Sequence, residues 1–500
     1  MPIASDHAAG HPGPAAWNTG VEHVIYRSPL PAVAVPERTV PEHVLAEARQ
    51  RDKVALLDAV TGESLTYAEL AEQVESTARG LVAAGIEPGD TVAIVALNRP
   101  RYAVALHAVM AAGATAALIN PVLTAREIER LKVLANVKAT LDLDDLPAGT
   151  TETLPRPDPA GIAAVLFSSG TTGLTKAVKL SHRALVANLE QHRPGWRIDE
   201  TDVLAANLPF FHIYGFAVIL NSGLLGGATL VTMPRSDAGT YLSRLAEHRV
   251  TRAFLVPPLA ASIADHPRHQ PLADLKLALC GAAPLDEGVR QEAERRLRAP
   301  IRQGYGLTEA GGTHQTFDDD LESDPTSIGV LCPGTEARIV EPGTGTDVAE
   351  GEPGEMLLRG PQLMAGYVDD EEATRQAFVD GWLRTGDLVR VHNGRFFVVD
   401  RIKEMIKYKG YQVAPAELEA LLRRHPAIRD AAVIGTPDRA NGEVPKAFVV
   451  TQGDVTAAEV MAFVAAEVAP FKKVRQVEFV EEIPRSVSGK ILRRLLKDGL

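Results

Sequence analysis

The stretch Leu166-Phe-Ser-Ser-Gly-Thr-Thr-Gly-Leu-Thr-Lys176 follows an apolar run and precedes a second one, Ala177-Val-Lys-Leu180. Two strands joined by a loop of this composition suit an anion. Gly170 and Gly173 let the backbone approach it, the hydroxyls and amides of Ser168, Ser169, Thr171 and Thr172 can donate to phosphate oxygens, and Lys176 adds positive charge. The spacing is not that of a P-loop, which needs Gly, four residues and then Gly-Lys-Ser/Thr, whereas Gly173 is followed by Leu-Thr-Lys. On composition alone, a Ser/Thr/Gly hairpin turn without a ligand is the plain alternative.

Outward from this loop the chain alternates helix and strand patterns. Thr66 and Glu69 form a capping box, Leu70, Val74, Leu81 and Val82 supply a helical apolar face, and Gly85 is placed to stop the helix. Residues 91–97 then read as strand, 102–112 as helix and 114–119 as strand, a rhythm that predicts a parallel sheet. It recurs between Val203 and Gly306, where strand-like 229–233, 252–256 and 276–280 alternate with helix-like 241–247 and 286–297. From Ser327 to Val399, short alternating runs split by Gly and Pro predict antiparallel strands. After Asp400 the text turns basic, and short helix and strand patterns follow. The expected class is α/β. Residues 1–40 read as a flexible leader, 41–400 as a large domain of two doubly wound α/β subdomains plus a β-rich one, and 401–500 as a small α+β domain.

Five hundred residues correspond to about three units of roughly 150 residues. With 45% hydrophobic and 23% charged residues, the chain lies far from the composition of disorder. Acidic residues outnumber basic ones by 64 to 52, so the general electrostatic footprint of a nucleic-acid binder is missing. The basic run from Arg401 to Lys409 has only Tyr408 and Tyr411 beside it for base stacking. Cys280 and Cys332 are too few for a disulfide framework or a four-cysteine zinc site and fit a reducing, cytoplasmic setting. The first twenty residues lack the basic and apolar regions of a secretory signal. Residues 203–234 carry no Asp, Glu, Lys or Arg, but Asn207, Pro209, His212, Asn221, Gly226 and Gly227 interrupt them, so buried core is expected rather than a membrane span.

Further segments carry chemistry: Gln303-Gly-Tyr-Gly-Leu-Thr-Glu309, Gly381-Trp-Leu-Arg-Thr-Gly-Asp387, Asp400-Arg-Ile-Lys-Glu404, Lys407-Tyr-Lys-Gly-Tyr-Gln412 and Pro484-Arg-Ser-Val-Ser-Gly-Lys490. Together with the Ser/Thr/Gly loop, and in this order, they resemble the adenylate-forming superfamily of acyl-CoA and aryl-CoA synthetases, luciferases and peptide-synthetase adenylation domains. The resemblance extends from about residue 65 to residue 494.

It implies a reaction in which a carboxylate attacks the α-phosphorus of ATP to give acyl-AMP and pyrophosphate, after which a nucleophile displaces AMP. The loop from Ser168 to Lys176 would hold the β and γ phosphates, Thr308 would touch the α-phosphate, and Glu309 would hold Mg²⁺. Asp387 resembles the aspartate that accepts both ribose hydroxyls, with Arg401 on the same ribose. Gly281, Ala282, Ala283, Gln303, Gly304, Tyr305 and Gly306 match segments that line the adenine. Lys490 resembles the lysine that bridges carboxylate and α-phosphate, although alone it would read as one solvated lysine of a basic tail. Lys403 falls at the family's hinge, about which the small domain moves between half-reactions. Lys407 and Gln412 would close on the adenylate, and the Lys409-Gly410 loop would meet the acceptor thiol after the movement.

Pro209-Phe-Phe-His-Ile-Tyr-Gly215 is closest to the version in 4-coumarate:CoA ligase-like enzymes, which implies His212 at the carboxylate and Tyr214 in the acyl pocket. Gly281 and Gly306 would give an aryl ring a flat slot. The chain departs from that subfamily at Thr308-Glu-Ala-Gly-Gly-Thr-His314, which puts Gly312, Thr313 and His314 where a proline-led apolar wall is usual. It also departs at Leu-Thr-Lys176 and Ala177. The implied enzyme is an AMP-forming acid–thiol ligase using ATP, Mg²⁺ and CoA on an aryl- or cinnamate-like acid, as a monomer or homodimer without nucleic-acid or membrane partners. Transfer to a carrier-protein thiol or an amine, activation of a small oxyanion such as nitrite, luciferase-like oxygenation and a degenerate nucleotide binder stay open.

Overall fold

The computed structural model describes residues 23–169, 175–234, 237–267, 272–316, 324–409, 411–438, 441–486 and 489–498. Among them, Thr91–Val95, Thr115–Ile119, Val137–Leu141 and Ile162–Ser169 run parallel, and Thr175–Ser181 returns antiparallel to Ile162–Ser169. The helix Pro100–Ala111 between the first two is buried nearly all round, with Tyr102, Leu106 and Met110 fully covered. That matches its lack of a polar face. Thr66 caps the helix Tyr67–Ala83 through a complete capping box, and Gly85 follows at φ +83°.

A second sheet is ordered Ile301–Gln303, Leu277–Cys280, Arg252–Leu255, Val203–Ala206, Thr229–Thr232, Val54–Asp58, Ser64–Thr66. The two last strands differ from the expectation that a helix precedes the first strand. The chain enters this second sheet, pairing Leu56 with Leu230, before it builds the other one. A five-residue run such as Val54–Asp58 carries no period of its own, so only its long-range partner makes it a strand.

The β-rich region is an antiparallel sheet containing Glu336–Val340, Gly354–Arg359, Trp382–His392 and Arg395–Arg401. Tyr26–Arg27 pairs with its edge, Tyr26 packs edge-on against Phe396 at 5.8 Å, and Arg27 meets Glu336. Within the leader expected over residues 1–40, Tyr26 and Arg27 are therefore anchored by an aromatic contact and an ion pair, and Thr39 and Val40 are buried; residues 1–22 lie outside the described residues. A short turn, Ile402–Glu404, leads to a last sheet containing Ile406–Tyr408, Tyr411–Val413, Ile428–Asp438, Gly442–Thr451 and Gln476–Phe479. The charge-free stretch becomes the strand Val203–Ala206, the π-helix Tyr214–Asn221 and the helix Ser222–Gly226, all inside the large domain. No helix among the described residues is long and apolar enough to cross a membrane.

Asp202, 1% exposed, pins the second sheet by accepting from Thr251 Oγ1 at 2.8 Å, Arg252 Nε at 2.9 Å and Lys276 Nζ at 2.9 Å. Removing an acceptor shared by two cations leaves buried charge poorly compensated. Asp202→Ala should destabilise the large domain by about 3 kcal/mol, read as a lowered urea midpoint, with Asp202→Asn intermediate.

Candidate active site

A cavity of about 310 Å³ opens where the two α/β sheets, the β-rich sheet and the C-terminal segment meet. At one end, Ser168 and Lys176 face each other across the strand pair that frames the Ser/Thr/Gly loop. Ser168 Oγ donates to Glu309 Oε1 at 2.8 Å, and the Tyr367 hydroxyl donates to the same oxygen at 3.3 Å. Lys176 Nζ lies 4.5 Å from the Tyr367 ring centroid. Two donors on one oxygen fix the direction of the Glu309 carboxylate beside Thr308, which also lines the cavity. One oriented carboxylate suits a hard cation that takes its remaining ligands from phosphate and water. Among the described residues no cluster of three His, Cys, Asp or Glu side chains forms a self-sufficient metal cage. Gly170, Thr171, Thr172 and Gly173 lie outside the described residues, as does the Ser169 side chain.

Behind the next wall, which carries Tyr305 and Arg401, Asp387, 2% exposed, pairs with Arg401 across two strands, Oδ1 to Nε at 3.1 Å. Tyr305 donates its hydroxyl to Asp387 Oδ2. Burial first, then the Asp387 charge, keeps that phenol protonated. Gly281, Ala282, Gly304 and Gly306 line the same wall. A Cβ on Gly306 would sit 2.4 Å from the Gly311 carbonyl oxygen, so a side chain there would break the turn. Ala283, Gln303 and Asp387 also line a larger adjoining cleft of about 1000 Å³. Gln303 spends its amide on the backbone, accepting from Leu285 N–H at 3.2 Å and donating to Pro325 O at 3.0 Å.

The cavity is also lined by Trp196, His212, Tyr214, Val218, Gly312 and His314, with His314 edge-on to Tyr305 at 5.5 Å. Burial pushes His212 down to about 4, so it is neutral at pH 7. Tyr214 turns its hydroxyl away, donating to Leu279 O at 2.8 Å, and offers its ring to Gly281. The expectation that Thr313 lines the pocket is corrected. Its side chain is fully buried and bonds His314 Nδ1 at 2.9 Å, and it is absent from the cavity wall. Thr313 falls at a bulge of the strand Gly311–Gln315, where Tyr305 pairs with His314 and Gly306 with Gly312, and the wall position goes to His314.

From the C-terminal side Lys490 and, at the turn, Lys403 enter the cavity. Burial, then Arg401, brings Lys490 down to about 8, with Glu404 opposing. Lys407 and Lys409 are exposed and not part of this wall, with the Lys407 N–H donating to Glu443 at 2.8 Å. Gly410 and the Gln412 side chain lie outside the described residues. Tyr367 and Trp196 are wall residues that the motif reading did not place, whereas His314 lies in the expected wall segment Gly312–His314. Tyr367 and Trp196 sit far in sequence from any motif, and only His314, at the departure after Thr308-Glu-Ala-Gly, left a signal.

These motif-bearing segments converge as a nucleotide site would require, and the family model described as AMP-binding enzyme matches residues 44–152 and 135–368, with its C-terminal domain model matching 417–490. The chain belongs to the AMP-binding enzyme family. It is 36% identical to "4-coumarate--CoA ligase 3" of Oryza sativa subsp. japonica, covering 96% of this chain and 95% of that one. It is likewise 36% identical to "Peroxisomal OPC-8:0-CoA ligase 1" of Arabidopsis thaliana, covering 94% of each. The fold matches O-succinylbenzoate coenzyme A synthetase of Bacillus subtilis, solved in complex with ATP and magnesium ion, with a TM-score of 0.82 and 28% identity over 91% of this chain and 99% of that one.

In this AMP-binding enzyme Lys490 should titrate near pH 8, whereas an exposed lysine titrates above pH 10. Lysine-selective ¹³C-methylation followed by NMR titration reads this directly. Arg401→Gln should move the midpoint upward, because it removes a neighbouring positive charge.

Proposed function

We propose that the protein is an AMP-forming acid–thiol ligase that activates an aryl- or cinnamate-like carboxylic acid with ATP and passes the acyl group to CoA. The observation that carries this reading is the single cavity whose wall brings Lys490 together with Ser168, Lys176 and Glu309 and with the aromatic side chains Tyr214 and Trp196. The relatives' names supply the ligase class, and the slot between Tyr214, Gly281 and Gly306 supports a flat acid.

In the first step a carboxylate oxygen of the acid attacks the α-phosphorus, the bond to the bridging oxygen breaks, and pyrophosphate leaves with the electron pair. Lys490, aimed at the join between acid and nucleotide, stabilises the charge on the α-phosphoryl oxygens, and Ser168 and Lys176 hold the departing phosphates. Bound with ATP, Mg²⁺ would be held by Glu309 and would neutralise charge on the leaving oxygens. Asp387 and Arg401 position the ribose; Tyr305 gives up Asp387 Oδ2 when a ribose hydroxyl takes its place. In the second step the CoA sulfur attacks the acyl carbon, AMP leaves, and the thiol proton passes to water. The turn Ile402–Glu404, with Lys403 as hinge, joins the two domains and would let Lys409 approach for this step, which fits its place outside the cavity wall here. A cytoplasmic setting belongs to this proposal, with buried Cys280 and Cys332 free in a reducing medium.

Pyrophosphate release should be measured across cinnamic, benzoic and medium-chain acids and nitrite, with and without CoA. An aryl acid supporting release and yielding a CoA thioester is expected; release indifferent to CoA, or confined to nitrite, overturns the assignment. Lys490→Ala should slow adenylation about 100-fold or more, a larger factor than its loss of ATP affinity. Calorimetry above pH 8 should register proton uptake on ATP binding, because nearby phosphates restore the Lys490 charge, and Lys490→Ala should abolish it.

A further inference from the structure

The two-residue strand Gly366–Tyr367 pairs antiparallel with Thr175–Ser181 and sets Tyr367 opposite Val178. Side chains two residues apart on a strand share a face, so Lys176 is the diagonal neighbour of Tyr367 on that face. The strand beyond sets Ser168 opposite Lys176. Three adjacent strands thus bring Ser168, Lys176 and Tyr367 to one face, and all three line the cavity. The backbone under Tyr367 is held on every side. Ala365 N–H donates to Lys179 O and Val368 N–H to Ala177 O, each at 2.9 Å, and the Tyr367 N–H donates to Thr374 Oγ1 at 2.9 Å in the helix Glu371–Ala377. The same segment reaches the main chain of Glu309, through Met364 N–H to Glu309 O at 2.9 Å.

The Tyr367 side chain, 7% exposed, makes two contacts of different kinds. Lys176 Nζ stands over its ring, 4.5 Å from the centroid, and its hydroxyl lies 3.3 Å from Glu309 Oε1. An ionised carboxylate only accepts, and burial followed by the Glu309 charge pushes the Tyr367 phenol up, so the hydroxyl is the donor. Ser168 Oγ donates to the same oxygen at 2.8 Å. Both hydrogen bonds of the Glu309 carboxylate among the described residues are therefore on Oε1, which leaves Oε2 for a further ligand. The ring face likewise engages the Lys176 ammonium without using its three N–H donors, which stay available to phosphate oxygens. Lysine and glutamate side chains are flexible, and ordering them draws on binding energy unless it is done beforehand.

We infer that Tyr367 is a positioning residue that fixes Lys176 and Glu309 relative to each other for Mg²⁺-bound ATP, its hydroxyl aiming the carboxylate and its ring carrying the ammonium. The inference rests on the reading of this cavity as the ATP site.

The test is a binding measurement with α,β-methylene-ATP, which cannot be cleaved between its α and β phosphorus atoms. It is titrated calorimetrically into the full-length protein with excess Mg²⁺ and, separately, with EDTA, and the ratio of the two affinities reads what the cation adds. Tyr367→Phe keeps the ring and removes the hydroxyl; it should cut that ratio about tenfold and leave the EDTA affinity unchanged. Tyr367→Leu removes the ring as well and should lower the EDTA affinity about threefold below that of Tyr367→Phe. An unchanged ratio in Tyr367→Phe overturns the inference, as does a loss shared equally by the Mg²⁺ and EDTA conditions, which marks a structural role. Equal EDTA affinities of the two variants overturn the part played by the ring. A wild-type ratio of one overturns the inference by separating the cation from Glu309. Acid-dependent ATP–pyrophosphate exchange by the wild-type protein decides the ligase reading independently of all these ratios.

Discussion

One ion pair holds the site together: Asp387 with Arg401, joined across adjacent strands and closed by the Tyr305 hydroxyl. Tyr305 comes from the short strand Tyr305–Leu307 after the second α/β sheet, Asp387 from the antiparallel sheet, and Arg401 is the last residue before the turn into the C-terminal domain. Three layers thus meet at one carboxylate. Asp400, one residue earlier, is buried and accepts from Ala416 N–H at 2.9 Å, which ties the helix Pro415–Arg423 to the same strand. Burial raises its carboxyl to about 6, a cost that the backbone donors only partly offset. The strand pairing that sets Asp387 opposite Arg401 also fixes where the chain leaves this sheet for the turn Ile402–Glu404.

The charges around the cavity are arranged by function rather than by balance. Lys176, Arg401, Lys403 and Lys490 line the cavity as cations, while burial holds His212 and His314 neutral in the same wall. The cavity therefore presents net positive charge to what enters it. The depressed Lys490 expresses the same design before ligand binding, since a lysine enclosed beside Arg401 keeps its proton less readily until anionic phosphate arrives.

Much of the fold was legible along the chain, for local reasons. The capping box at Thr66, the alternation of helix and strand from 91 to 119, and the repeat of that rhythm up to Gly306 are determined within a few residues, so periodicity reports them. The exceptions share one cause. Val54–Asp58 and Tyr26–Arg27 are too short to show a period, and each becomes a strand only by pairing with a segment far away, Thr229–Thr232 in one case and Glu336–Val340 in the other. Burial of a segment without period is a property of its partner, and sequence order does not carry it.

By itself, then, the sequence determined the doubly wound architecture, the Ser/Thr/Gly composition between two strands and the residue types at Glu309, Asp387 and Lys490, because motifs depend on spacing along the backbone. Tertiary structure alone decided which neighbour faces the cavity. A bulge in the pairing with Tyr305–Leu307 falls at Thr313, which is absent from the wall while His314 lines it, and no spacing rule places a bulge. It also brought Tyr367 beneath Lys176 and Trp196 to the cavity wall, contacts between segments separated by more than a hundred residues that only packing creates.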